Sequence, residues 1–110
     1  MTAQPATAKE TAWVLMVDEQ LSPLPLMTFP GEPAEIALPL RQIVSAALKS
    51  DCGFLLLGHS HGHGDPAPST ADIRTTRLLC RMLTPLRISL VDHIIYAGNA
   101  RLSFREQGLL

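Results

Sequence analysis

The sequence contains little cysteine. Only Cys52 and Cys80 occur among its 110 residues, far apart and without CxxC spacing. This spacing excludes a disulfide framework and a cysteine-based zinc site. Both residues lie in apolar surroundings, so we interpret them as small core residues of a protein in a reducing compartment.

Charge of either sign is also scarce. Charged residues make up 17% of the chain, the net charge is −1 and the pI is about 6.4. Strong sequence-independent binding of nucleic acid needs a basic face, so we expect no nucleic-acid partner. A local patch around Arg74, Arg77, Arg81 and Arg87 stays open, but the helical spacing of the first three is also typical of a solvated helix face.

Long apolar runs and a signal peptide are absent as well. No run of about eighteen apolar residues occurs, which predicts no membrane span. The N-terminal MTAQPATAKE lacks the charged and apolar regions of a signal peptide, so a cytoplasmic location is the default. Apolar residues make up 46% of the chain, which indicates one folded domain. We expect a flexible segment at 1–8 and a single domain at 9–110.

Strand and helix patterns alternate along that domain and predict a small α/β sandwich with a mixed sheet. Apolar and β-branched runs predict strands, two prolines restrict the second strand to a sheet edge, and period-3.6 apolar stripes predict helices. The predicted strands are 11–17, 21–29, 34–37, 54–57, 88–97 and 102–104, and the predicted helices are 39–49 and 70–83.

The stretch Phe54 to Asp72, FLLLGHSHGHGDPAPSTAD, carries the chemistry. An apolar strand ends at Gly58 and leads into His59 and His61, whose side chains point to one side because strand side chains alternate. A Gly/Pro-rich loop then leads to a helix whose first turn contains Asp72. Two imidazoles and one carboxylate are the ligand number of a catalytic zinc, with water in the fourth position.

Simpler interpretations of the same residues remain open. Ser69-x-x-Asp72 before an amphipathic run is also a capping-box variant, which explains both residues by helix-end hydrogen bonds. Histidine-rich loops are often merely solvated. His63 is a further polar group of the loop, and His93, in an apolar strand, is typical of a hydrogen-bonded core residue.

The arrangement His59-Ser60-His61, seven residues, then Ser69-Thr70-Ala71-Asp72 resembles the JAMM motif of the JAB/MPN metallopeptidases. The segments GDPAPSTADIRTTR, LVDHIIYAG and LSFREQGLL resemble the RadC branch in particular, and the resemblance extends from about Glu10 to Leu110. That branch usually reads His-Asn-His-Pro-Ser at the motif, whereas this chain has Ser60, Gly62 and His63 at the second, fourth and fifth positions.

The resemblance implies a three-layer JAB/MPN fold, similar to cytidine deaminase, and a zinc metallopeptidase or isopeptidase. Its metal ligands would be His59, His61 and Asp72, and Ser69 would donate a hydrogen bond to the water or the developing oxyanion. Its substrate would be a peptide or an isopeptide-linked protein.

The general base must be a carboxylate that is not a ligand, and periodicity alone cannot choose among four glutamates, Glu10, Glu19, Glu32 and Glu35. In RadC-like chains a Glu lies at the mouth of the first strand, eight residues before an Asp. Glu10 and Asp18 reproduce that spacing, so the resemblance implies Glu10. The alternative function is a non-catalytic RadC-like module in DNA repair or in nucleic-acid or protein binding. The helix-hairpin-helix region often found in RadC-like proteins has no counterpart in this sequence, which weakens the case for DNA binding.

Overall fold

A computed structural model describes residues 11–30, 38–62 and 64–110 of the chain. These residues form one mixed five-stranded sheet and two α-helices, so the predicted α/β class is confirmed. A short 3₁₀ helix, Thr84–Leu86, follows the second α-helix. The elements in chain order are β1 Thr11–Asp18, β2 Met27–Pro30, α1 Leu40–Lys49, β3 Cys52–Ser60, α2 Thr70–Leu83, β4 Ser89–Ala97 and β5 Ala100–Ser103.

The sheet has the order β2-β1-β3-β4-β5. Its central strand, β3, runs antiparallel to β1 and parallel to β4, and α2 is the crossover that joins β3 to β4. Among the described strands β2 lies at the edge of the sheet, as predicted for 21–29, but only Met27–Pro30 forms a strand there. Pro23 makes an isolated bridge to Val17, because proline cannot donate to a continuous ladder.

The central strand is longer than its apolar run predicts. The run ends at Leu57, but β3 continues to Ser60 because β1 and β4 pair with it on both sides. The last predicted strand, 102–104, is shifted, since β5 is Ala100–Ser103 and starts directly after the two-residue turn Gly98-Asn99. Gly98 has φ +59°, which suits glycine in such a turn. The extended piece predicted at 34–37 and the flexible segment at 1–8 lie outside the described residues.

Both helices pack on one face of the sheet. Val14 of β1 pairs with Leu57 of β3, and Met16 with Leu55, so these four side chains share a face. One core cluster joins them to the inward stripes of both helices, which contain Ile43 and Ala47 of α1 and Leu79 and Leu83 of α2. A fully buried leucine or isoleucine stabilises a fold by about 1.5–3 kcal/mol, so this cluster holds the helices to the sheet.

The described residues therefore form two of the three expected layers. On the opposite face Trp13 lies across Gly58, where a Cβ atom would be 2.0 Å from the indole ring, and its ring centroid is 6.4 Å from that of Tyr96. Cys52 is buried, and burial raises the pKa of its thiol, as expected of a small core residue. Within the described part of the chain, neither helix has the length and apolarity needed to cross a membrane.

Candidate metal centre

The end of β3 brings two histidines to the helix-covered face. His59 pairs with Ala12 of β1 and with Ile95 of β4, and it is only 3% exposed. His61 lies just beyond the strand, where its backbone N–H donates to the Tyr96 carbonyl at 2.8 Å and holds the chain beside β4. The two rings meet edge to face with centroids 4.6 Å apart. The predicted placement of both imidazoles on one side of the strand is therefore observed.

One hydrogen bond fixes which ring nitrogen of His61 can bind a metal. Its Nδ1 lies 2.8 Å from the backbone carbonyl oxygen of Asp65. A carbonyl can only accept, so Nδ1 carries the hydrogen and Nε2 has the lone pair. Nε2 is the atom that faces the Asp72 carboxylate, at 3.5 Å from Oδ2. A backbone carbonyl on the far nitrogen is the usual way in which a metal-ligating histidine is oriented.

The loop after His61 is folded onto its own backbone. The Ala67 N–H donates to the Asp65 carboxylate at 2.9 Å, which closes a turn between the histidines and α2. Asp65 therefore orients the loop, and its carbonyl orients His61. His63 lies outside the described residues.

Asp72 belongs to a capping box at the start of α2. Its backbone N–H donates to Ser69 Oγ at 2.9 Å, and its Oδ2 accepts from the Ser69 N–H at 2.8 Å. The same carboxylate lies 3.5 Å from His61 Nε2, and its Oδ1 lies 3.9 Å from His59 Nδ1. The capping and metal interpretations are thus compatible, because the box holds the carboxylate toward the two imidazoles.

Three potential ligand atoms converge at this point. One atom each from His59, His61 and Asp72 lie within 4.8 Å of one another, and His59 and Asp72 are buried. The group could hold a metal ion. Two nitrogens and one carboxylate oxygen are a donor set that zinc accepts, and burial of the carboxylate makes a compensating cation favourable.

His93 of β4 lies beneath the same site. It is 1% exposed, its Nδ1 is 2.7 Å from Thr76 Oγ1 of α2, and its ring stacks on Phe104 at 4.3 Å. Burial, together with the nearby His59 and His61 rings, lowers the pKa of His93 to about 3, so the ring is neutral. The structure supports the interpretation of His93 as a hydrogen-bonded core residue, although only one of its nitrogens has a partner among the residues that the structure describes.

Sequence reasoning missed Thr76, the partner of His93. It is fully buried on the inward stripe of α2, together with Asp72, Leu79 and Leu83. A polar residue four positions after Asp72, on the same helix face as Leu79 and Leu83, was the available signal. The side chain of Ser60, in contrast, lies on the opposite face of the sheet, where its Oγ is 3.0 Å from Thr11 Oγ1.

The structure excludes one of the four candidate bases. Glu19 follows β1, whose last residue Asp18 pairs with Cys52, the first residue of β3. It therefore lies at the opposite end of the sheet from His59, in a cleft shared with Asp51 and Arg87. The other three, Glu10, Glu32 and Glu35, lie outside the described residues.

Known proteins resemble this chain over most of its length. The family model of the RadC-like JAB domain matches residues 1–109. A UPF0758 protein of Bordetella avium is 43% identical over 70 residues, which are 64% of this chain and 31% of the relative. A UPF0758 protein of Neisseria meningitidis serogroup B is 38% identical over 80 residues, 73% of this chain and 36% of the relative. The chain thus spans about a third of the length of these relatives. It belongs to the RadC-like JAB domain family.

Proposed function

We propose that this domain is a zinc-dependent metallopeptidase or isopeptidase of the JAMM type. The observation that carries the proposal is the convergence of His59, His61 and Asp72 within 4.8 Å. The domain family adds support, because the JAB superfamily includes hydrolases. The capping box adds more, since it directs the Asp72 carboxylate at two imidazoles instead of at solvent.

The donor set favours zinc over magnesium or calcium. Magnesium and calcium select oxygen ligands, whereas two of the three donors here are imidazole nitrogens. Three protein ligands would also leave a coordination position for water, as in catalytic zinc centres. When bound, zinc supplies Lewis-acid activation of water near neutral pH.

The remaining chemistry is assigned to Glu10 and Ser69. Glu10 takes the proton of the attacking water, a role that rests on the resemblance to RadC-like chains. The strand that follows it supports this assignment, because Thr11 pairs with Ser60 next to His59. Ser69 Oγ accepts from the Asp72 N–H, which leaves its own hydroxyl hydrogen available for donation to the developing oxyanion.

The substrate backbone, in this proposal, lies along β2. This strand is at the sheet edge, and Thr11 pairs with both Pro30 of β2 and Ser60 of β3, so β2 reaches the level of the site. An edge strand offers N–H and C=O groups to an extended peptide. Hydrogen exchange with and without a bound peptide tests this path. Protection confined to segments far from both β2 and the 62–68 loop would show that the path is wrong.

The proposed function is tested by metal content and by hydrolysis. The purified protein, prepared without chelator or nickel resin, is expected to contain one zinc per chain and to cleave peptide or isopeptide bonds until chelator is added. Glu10→Gln and Asp72→Ala are each expected to abolish turnover, and Glu19→Gln, at the far end of the sheet, serves as the matched control. Unchanged turnover in the first two variants contradicts the proposal. Salt-dependent DNA binding without hydrolysis would favour the non-catalytic alternative.

A further inference from the structure

His93 presents an unpartnered polar atom to the interior of the protein. Its Nε2 is buried and has no hydrogen-bond partner among the described residues, while Nδ1 is 2.7 Å from Thr76 Oγ1. A buried donor or acceptor left without a partner costs about 1–3 kcal/mol, so a partner is expected. The ring itself stacks on two others, with its centroid 4.3 Å from that of Phe104 and 5.8 Å from that of His59.

A small cleft connects His93 to the candidate ligands. It is lined by Leu38, His59, Asp72, Thr75 and His93, and its volume is about 10 Å³. That volume is close to the minimum of about 10–15 Å³ that admits a single water. A water also needs two or more polar partners, and this lining offers the imidazoles, the carboxylate and the threonine hydroxyl.

The contact with Thr76 gives this water a direction. Thr76 Oγ1 lies 2.7 Å from His93 Nδ1, and the threonine hydroxyl can donate to that nitrogen. In this tautomer Nε2 carries the ring hydrogen and donates into the cleft. A water there accepts from Nε2 and donates to the Asp72 carboxylate, which has lone pairs beyond those used by the Ser69 N–H and by one metal bond.

We propose that His93 is a positioning residue for the metal centre, and that its Nε2 holds one water in this cleft against the Asp72 carboxylate. Thr76 orients His93, His93 orients the water, and the water restrains the carboxylate that would bind the metal. Ligating carboxylates are themselves hydrogen-bonded, and loss of such outer partners typically costs about 10–100-fold in metal affinity. The inference rests on the proposed metal site.

Two substitutions separate the nitrogens of His93. An asparagine amide reaches about as far as Nδ1, and a glutamine amide about as far as Nε2. His93→Asn therefore keeps a group beside Thr76 and loses the group in the cleft, whereas His93→Gln does the reverse. The readout is the dissociation constant for Zn²⁺ or Co²⁺ alone, measured by competition with a chelator, together with thermal melting of the metal-free variants.

We expect His93→Asn to weaken metal binding by about 10–100-fold and His93→Gln to stay within about threefold of wild type. Thr75→Ile replaces the hydroxyl in the cleft lining with an ethyl group while His93 stays intact, and it should weaken binding as His93→Asn does. This variant keeps the inference testable if the His93 variants fold poorly.

Two different outcomes would overturn the inference. If His93→Asn and Thr75→Ile bind metal as tightly as wild type, or if only His93→Gln loses affinity, then the Thr76 contact alone matters and His93 is a structural residue. If the wild-type protein binds no metal, the proposed function and this inference both fail. Metal affinity of the wild type thus distinguishes failure of the proposed function from failure of the inference alone.

Discussion

Two aspartates at the two ends of the histidine cluster use the same kinds of partner for different purposes. Asp72, at the start of α2, makes two bonds to Ser69, since its carboxylate accepts from the Ser69 N–H and its own N–H donates to Ser69 Oγ. The carboxylate of Asp92, in β4, accepts from two backbone N–H groups and from the hydroxyl of Ser103 in β5. The two carboxylates differ in how much capacity to accept further bonds remains once these hydrogen bonds are made.

The Asp92 carboxylate accepts three hydrogen bonds from nearby residues. Its Oδ1 accepts from the backbone N–H groups of His93 at 2.7 Å and Arg105 at 2.9 Å, and its Oδ2 accepts from the Ser103 hydroxyl. These bonds hold the chain that leaves β5 against β4. Among the described residues, the Asp72 carboxylate accepts from one backbone N–H, and its two oxygens lie 3.9 Å and 3.5 Å from ring nitrogens of His59 and His61. A carboxylate that is not saturated by hydrogen-bond donors is the one suited to bind a cation.

The largest predicted effect is on metal binding in Asp72→Asn. The asparagine oxygen can still accept from the Ser69 N–H, so the helix cap is kept, but the anionic ligand is lost. Because loss of an outer partner alone typically costs about 10–100-fold in affinity, we expect loss of this ligand to cost at least about 100-fold. Isothermal titration with Zn²⁺ measures the effect.

The matched variant is Asp92→Asn, which we expect to bind Zn²⁺ within about threefold of wild type when folded. The distinct roles of the two aspartates are contradicted if Asp72→Asn retains wild-type affinity for Zn²⁺ or if both variants lose that affinity equally. In the second case Asp92 would act on the metal site through His93, its neighbour in the chain.

The second prediction concerns stability and reverses the order of the two variants. In metal-free protein, Asp92→Asn makes the bonds from the His93 and Arg105 N–H groups neutral and replaces Oδ2, the acceptor of the Ser103 hydroxyl, with an NH₂ group that cannot accept. It is therefore expected to cost about 2 kcal/mol. Asp72→Asn keeps its backbone bond and is expected to cost less than about 1 kcal/mol. Urea unfolding of both variants with chelator present measures the difference. Equal losses in the free energy of unfolding would show that Asp92 stabilises the fold no more than Asp72 does.

Most of the described elements and the positions of His59, His61 and Asp72 on them were predictable because their signals are local. Asp72 sits three residues after an N-cap serine, and the apolar stripe behind it predicts α2 as Thr70–Leu83, the observed bounds. The alternation of a strand places His59 and His61 together without knowledge of any other element. Such rules depend on neighbours a few residues apart in the chain.

The remainder of the site depends on tertiary contacts, which local patterns do not encode. Thr76 meets His93 across 17 residues only because β4 lies parallel to β3 with Leu57 beside His93. The extension of β3 to Ser60 likewise depends on pairing with β1 and β4. Glu19 could be separated from the site only after the antiparallel register of β1 was known. Asp92 directly precedes His93 in the sequence, and only the structure shows that its carboxylate also bonds to Ser103 of β5 and to the Arg105 N–H beyond it.

The smallest predicted effects belong to the two serines, and they sharpen the comparison further. Ser69→Ala removes the N-cap acceptor of α2, and Ser103→Ala removes the hydroxyl that donates to Asp92 and accepts from the Glu106 N–H at 3.1 Å. Each is expected to cost about 1 kcal/mol, or roughly 4–8 °C in the melting temperature of a domain of this size. Differential scanning calorimetry of metal-free protein measures both.

The serine variants should differ only when metal is added. Ser69→Ala loosens the turn that holds Asp72, so zinc should raise its melting temperature less than it raises that of wild type. Ser103→Ala leaves Asp72 and its cap untouched and should show the full wild-type shift. Ser69→Asp keeps a side-chain acceptor at the N-cap and should recover most of the lost stability. An equal zinc shift in both alanine variants would mean that the capping box does not position Asp72, and that the carboxylate reaches the imidazoles without it.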